Sequence, residues 1–176
     1  LPSLTYVPLS RPVIDQADID AAVRVLQSGQ VVQGPEVAAF EAEFSDVVAG
    51  RHCVAVNSGT SALHLSLMAL GISAGDEVIV PSFSFAASAN AIRLVGAEPV
   101  FADITPDTFV LDPEAVRAMI GPRTVAIMPV HLAGVACRMD ALLAVARERG
   151  VKVIEDCAQS AGVSYRGKRI GSFGDV

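Results

Sequence analysis

Three short stretches carry residue types that could do chemistry together. Residues 151–162 read VKVIEDCAQSAG, an apolar run leading straight into Glu155 and Asp156. A buried strand here would deliver a carboxylate to its carboxyl end, where ligands bind in open parallel sheets. An acid in this position can equally be a solvated strand cap. Strand alternation sends Glu155 to the opposite face, so Asp156 is the acid offered to a site and Glu155 drops out of the chemistry.

The second stretch, Asn57-Ser58-Gly59-Thr60-Ser61, enters the apolar helix ALHLSLMAL. Small residues with unpaired N–H groups at a helix start, where the dipole amounts to about +0.5 of a charge, form an anion site. Ser58 equally reads as simply the cap of that helix. Neither GxxxxGK[ST] nor GxGxxG occurs, which argues against a Walker loop and a dinucleotide fingerprint. The third stretch, Pro81-Ser82-Phe83-Ser84-Phe85, brings two aromatics near the same sheet edge. One of them could lie flat on a planar ring, or both could belong to the core. His131 follows a predicted strand and reads as a satisfied structural residue.

A phosphate cradle, an aromatic face and an acid suit pyridoxal phosphate. Its phosphate needs a helix start, its ring needs packing, and its pyridine nitrogen needs a carboxylate to keep it protonated. A charge-assisted hydrogen bond of that kind contributes about 1.5–3 kcal/mol.

Positioning these groups requires strands that end together. From residue 51 the pattern repeats as strand, turn, helix. Apolar runs predict strands over 53–56, 78–80, 99–101, 125–128 and 151–154, separated by helices over 60–70, 85–94, 113–120 and 139–149. Asp112-Pro113 is a helix start and Gly150 a helix stop. The alternation predicts an α/β fold, a mostly parallel sheet with helices on both faces. Two helices, over 15–28 and 35–49, are expected before it, with Gly29 and Gly50 as stops and SGQVVQGP as the loop between them. The expected division is an N-terminal helical segment, 1–50, and a cofactor-binding domain, 51–176.

Composition narrows the function classes. The chain has 176 residues and a formal net charge of -6, which argues against a nucleic-acid partner. Hydrophobic residues make up 52% of the chain, but Arg93, Glu98 and Asp103 interrupt its most apolar region, so no membrane span is expected. Three cysteines without a CxxC spacing suggest free thiols in a reducing compartment, hence a cytoplasmic location. Both ends read as cut: the chain opens on Leu1 and stops at Val176 without a closing helix.

In the order and spacing of its motifs the chain resembles the first half of the DegT/DnrJ/EryC1/StrS sugar aminotransferases, fold-type I pyridoxal phosphate enzymes. The matching stretches are SGQVVQGPEVAAFEAEF, NSGTSALHLSLMALGISAGDEVIVPSFSFAASANAI, GAEPVFADI, MPVHLAG with Met139-Asp140, and VIEDCAQSAG to GSFGDV. The resemblance implies that Gly59, Thr60 and Ser61 hold the cofactor phosphate, Phe85 stacks on the ring, Asp156 pairs with the pyridine nitrogen, and Gln159 approaches the ring hydroxyl. It implies an amino group moved, usually from glutamate, onto a nucleotide-linked keto sugar, by homodimers with sites at the subunit interface.

The Schiff-base lysine of the family lies shortly after the position of Gly174-Asp175, so it is expected beyond Val176. Lys152 sits four residues before Asp156, roughly 13 Å back along the strand, and Lys168 lies in what reads as an exposed turn. The chain alone is therefore expected to be inactive. A sugar dehydratase of the same family remains an alternative, decided by the residue at the lysine position, as does a non-catalytic regulatory or binding module, for which a natural stop codon after Val176 would speak.

Overall fold

A computed structural model describes Pro8 and residues 11–176; residues 1–7, 9 and 10 of the expected N-terminal segment lie outside the described residues. The chain divides into two compact units, one up to Phe40 and one from Glu41 to Val176.

The first unit holds helix α1 (Gln16–Ser28) and the start of α2 (Pro35–Val47). A reciprocal capping box opens α1: Asp15 accepts from the N–H groups of Ala17 and Asp18, and Asp18 accepts from that of Asp15. Gly29, at φ 71°, ends it in the left-handed conformation that glycine adopts without steric cost. Neither helix fully buries a residue: Ile19, Val23 and Leu26 of α1 and Phe40 and Val47 of α2 are exposed, and Val37 and Phe44 are half-buried.

The second unit is the α/β layer structure expected from the strand-helix alternation. Strands β1 (Glu77–Pro81), β2 (Glu98–Ala102), β3 (Thr124–Ile127) and β4 (Lys152–Val153) form one parallel sheet in the order β2-β1-β3-β4. The connecting helices are α4 (Ala86–Leu94), α5 (Pro113–Met119) and α6 (Met139–Arg149), with α3 (Gly59–Ala69) ahead of β1. Asp112 caps α5 through the Glu114 N–H, with Pro113 in its first turn, and Gly150 closes α6 at φ 68°.

Side chains alternate between two cores, as the two-residue period of a strand requires. Val78, Val80, Ala126, Met128 and Ile154 pack with Leu63 and Leu67 of α3 and Ala91 and Ile92 of α4. Ile79, Ile127 and Val153 face the other way, onto Val116 of α5 and Met139, Leu142 and Val145 of α6. Each fully buried aliphatic side chain contributes about 1.5–3 kcal/mol, so both faces of the sheet are held by burial.

One expected strand is absent. Residues 53–56 have strand-like composition but form no ladder, and Val54 is 75% exposed. The reason is the lack of a neighbouring strand among the described residues: the Ala55 N–H donates instead to the Glu41 carboxylate at 2.7 Å. This segment is nevertheless anchored, because the Arg51 guanidinium donates to the carbonyl oxygens of Ser172, Gly174 and Asp175.

The expected strand over 151–154 is assigned at only two residues, yet its parallel path continues beyond them. The Ile154 N–H donates to the Ile127 carbonyl, that of Asp156 to Pro129, and Val130 bridges to Asp156. Beyond it, β5 (Ser164–Tyr165) and β6 (Lys168–Arg169) make a small hairpin turned by Arg166 and Gly167, both at positive φ. Lys168 thus lies on an exposed hairpin strand rather than in the turn itself, with Nζ 4.6 Å from the Phe173 ring centroid. Among the described residues no helix is long and apolar enough to cross a membrane.

Candidate active site

Asp156 ends the path of β4 and is 6% exposed. Its carboxylate is held from two sides: Oδ2 accepts from the Ser88 hydroxyl at 2.7 Å, and Oδ1 accepts from the Ala158 N–H at 3.1 Å. No cationic side chain pairs with it among the described residues. A buried carboxylate stabilised only by neutral donors retains strong affinity for a cation.

The start of α3 reaches the same place. A Cβ added at Gly59 would lie 3.8 Å from the Ala158 Cβ, so the helix start abuts the backbone turn that follows Asp156. Gly59 and Asp156 line one cleft of ≈ 800 Å³, with Ala62, Leu63, Ile154 and Ala158. Ser58 caps α3, accepting from the Ser61 N–H at 3.1 Å. The Ser61 hydroxyl donates to Asn57 Oδ1 at 2.7 Å, which ties the residues before the helix to its first turn. Helix geometry leaves the N–H groups of Gly59 and Thr60 without an acceptor in the preceding turn. Both readings of Ser58-Gly59-Thr60-Ser61 are therefore compatible: one residue caps, and its neighbours still present donors.

Phe85 is the N-cap of α4 and is 70% exposed. It lines a separate hollow with Ser82, Ser84, Ser88 and Phe101, where the buried Ser84 hydroxyl has no hydrogen-bond partner among the described residues. The link from Phe85 to Asp156 is the first turn of α4, since the Ser88 N–H donates to the Phe85 carbonyl and the Ser88 hydroxyl to Asp156. Gln159 is exposed, and its Oε1 accepts from the Ala133 N–H at 3.0 Å. Gly59, Asp156 and, through Ser88, Phe85 thus converge on one end of the sheet, while Gln159 is engaged with the turn after His131.

Neither lysine of the chain stands there. Lys152 Nζ pairs with Asp175 Oδ1 at 2.8 Å, and Lys168 covers Phe173.

Sequence reasoning passed over two features. Ser88 was legible as a hydroxyl on the buried face of α4, where it shares burial with Ala91 and Ile92 at helical spacing. The other is Glu155, which points away from Asp156 as expected but is itself buried and accepts four donors: His131 Nε2, Gly171 N, Phe173 N and Gly174 N. Burial alone would raise its pKa; the His131 contact and the three N–H groups outweigh that and hold the carboxyl below its ordinary value. His131 has both ring nitrogens engaged, as a satisfied structural histidine should. His131, Glu155 and Cys157 gather within 4.8 Å, but the histidine and carboxylate are already committed to these bonds. Burial, then the charges of Glu155 and Asp156, push the Cys157 thiol up to about 12, far from the thiolate that a metal prefers.

The fold is a parallel α/β sheet whose strand end sets a buried carboxylate beside a helix start. The chain belongs to the DegT/DnrJ/EryC1/StrS aminotransferase family, whose sequence profile matches residues 12–176. It is 46% identical over 171 residues to the spore coat polysaccharide biosynthesis protein SpsC of Bacillus subtilis (strain 168), covering 97% of this chain and 44% of SpsC. Among solved structures it is similar to DesV of S. venezuelae in complex with a ketimine intermediate, at 49% identity and TM-score 0.86, covering 89% of this chain and 43% of DesV. A candidate sugar aminotransferase from Streptococcus pneumoniae in its PLP-form superposes with TM-score 0.92 at 35% identity, covering 96% of this chain and 47% of that protein. The chain thus spans less than half the length of these relatives.

Proposed function

We propose that residues 51–176 are the cofactor-binding part of a pyridoxal phosphate-dependent aminotransferase acting on a nucleotide-linked keto sugar, with glutamate as amino donor, and that residues 1–50 form its N-terminal helical segment. The observation that carries this reading is Asp156, a buried carboxylate without a cationic partner among the described residues, next to the start of α3. The residues present fit the cofactor. Asp156 would hold a proton on the pyridine nitrogen, and Ser88 and the Ala158 N–H keep the carboxylate aimed. The Gly59 and Thr60 N–H groups would bind the phosphate. The Ser61 hydroxyl could join them by exchanging its bond to Asn57.

Phe85, exposed at the cap of α4, would pack on the ring and exclude water from one face. Gln159 would reach the ring hydroxyl after releasing Ala133. When bound, the cofactor supplies an electron sink that acidifies the substrate C–H bond. The lysine that attaches the cofactor and moves that proton is assigned beyond Val176, so the 176-residue chain alone does not transaminate. Homodimerisation and a cytoplasmic setting, where Cys53, Cys137 and Cys157 remain free thiols, complete the proposal.

The test is Asp156→Asn in the full-length protein. Exchanging the carboxylate for an amide removes a charge-assisted bond of about 1.5–3 kcal/mol, so turnover should fall roughly 10- to 150-fold while the far-ultraviolet spectrum stays the same. Near-normal turnover in the folded variant would refute the role given to Asp156.

A further inference from the structure

Glu155 and Asp156 are adjacent in sequence and turn to opposite sides of the strand end. Asp156 faces Ser88 of α4, and both acids border the cleft. Glu155 faces the turn formed by residues 171–174 and binds its N–H groups, while Arg51 binds the carbonyl oxygens of Ser172 and Gly174. Glu155 Oε1 accepts from the N–H groups of Phe173 at 2.6 Å and Gly174 at 2.7 Å, while Oε2 accepts from Gly171 at 2.9 Å and stands 3.1 Å from His131 Nε2.

The histidine is not free to choose its role. Its Nδ1 accepts from the Cys137 N–H at 3.0 Å, which fixes the proton of the neutral ring on Nε2 and makes that nitrogen a donor to the carboxylate. Every donor around Glu155 therefore demands an acceptor. Asp156 is bound on both sides of its own backbone as well: its N–H donates to Pro129 O, and its carbonyl accepts from His131 N. A displacement of Glu155 or His131 would be transmitted directly to the residue that meets the ring nitrogen.

We propose that Glu155 and His131 are a positioning pair, a buried carboxylate and a tautomer-locked histidine that fasten the 171–174 turn behind the strand end and thereby fix Asp156 against the cofactor. The pair touches neither cofactor nor substrate. This inference rests on the cofactor site proposed above, and it adds a role for the acid on the opposite face of the strand.

The variants differ in which bond they spare. In Glu155→Gln one acceptor oxygen becomes an amide donor, facing two N–H donors whichever way the amide lies, and His131 cannot compensate because Cys137 holds its tautomer. His131→Asn keeps an acceptor near the Nδ1 position and loses the donor to Glu155. His131→Gln can retain that donor at the sacrifice of the Cys137 contact.

The experiment uses the full-length enzyme and two readouts: amide hydrogen exchange at residues 171–174, and the dissociation constant of pyridoxal phosphate together with the absorption spectrum of the bound cofactor. In Glu155→Gln, exchange at Gly171, Phe173 and Gly174 should accelerate about tenfold or more, and cofactor affinity should fall by a similar factor with a shifted spectrum. His131→Asn should follow the same direction, and His131→Gln should lie closer to wild type in both readouts. If Glu155→Gln does not fold, the contrast between the two histidine variants decides the matter. Unchanged exchange in the folded variants overturns the fastening. Faster exchange with unaltered cofactor affinity and spectrum overturns the positioning role. A wild-type protein that binds no pyridoxal phosphate would sink the cofactor reading, and with it the positioning claim, while the exchange data would still report on the fastening of the turn.

Discussion

Asp156 shows how little of a site a single residue type specifies. Its carboxylate is aimed by a hydroxyl from α4 and by the N–H two residues further on, so its orientation depends on two separate elements. Removing the hydroxyl isolates one of these. Ser88→Ala deletes a donor to a buried carboxylate, and the loss should be of the order of 1–3 kcal/mol. Urea denaturation of the full-length protein is the measurement, and the midpoint should fall with little change in slope. An unchanged midpoint would mean that the Ser88 bond contributes nothing net. The places of Asp156 at a strand end and Gly59 at a helix start were legible in sequence, because an apolar run ahead of an acid and small residues ahead of an apolar helix mark them; their roles toward a cofactor came from the family resemblance. The bonding of Glu155 was not legible, because three of its four partners are backbone N–H groups. Every residue except proline carries such a group, so no pattern of side chains announces them.

At the scale of elements, the reading succeeded where structure is set locally. Helix α6 runs over Met139–Arg149, as its periodicity and Gly150 predict, and α5 starts at Asp112-Pro113. Strands β1 to β3 follow from apolar runs whose alternate residues serve two cores. The failure over 53–56 has the opposite origin: a strand exists only through its neighbour, and the composition of Cys53-Val54-Ala55-Val56 says nothing about whether one is present. Close approach of backbones also decides the last segment. A Cβ at Gly174 would sit 2.6 Å from the Val153 carbonyl oxygen, which is backbone and cannot swing away. Gly174→Ala should force this segment off β4 and destabilise the protein by about 1–3 kcal/mol. Thermal unfolding measures it, and a melting temperature equal to wild type would contradict such tight packing.

For the whole molecule, the buried titratable groups set a stability window in pH. Burial opposes the charge on Glu155, but His131 and the backbone donors prevail and depress its pKa, so the folded state binds fewer protons than the unfolded one. Its stabilisation is present above the ordinary value of 4.5 and is lost as pH falls through the depressed one. Cys137 and Cys157 act at the other end. Burial raises both from 9.0 to about 12, so the unfolded chain ionises first and stability declines as pH rises above 9.0. The melting temperature measured against pH should therefore be highest between about 5 and 9; a maximum outside that interval would exclude these groups as the controlling ones. Arg51 has a further consequence, for the order of events during synthesis. Its guanidinium clasps carbonyl groups 121 to 124 residues downstream. At bacterial or eukaryotic elongation rates, roughly ten seconds pass between the two ends of that contact leaving the ribosome. Closing so long a loop also carries an entropic penalty of about 4 kcal/mol. The residues leading into α3 therefore lack this anchor until residues 172–175 have left the ribosome.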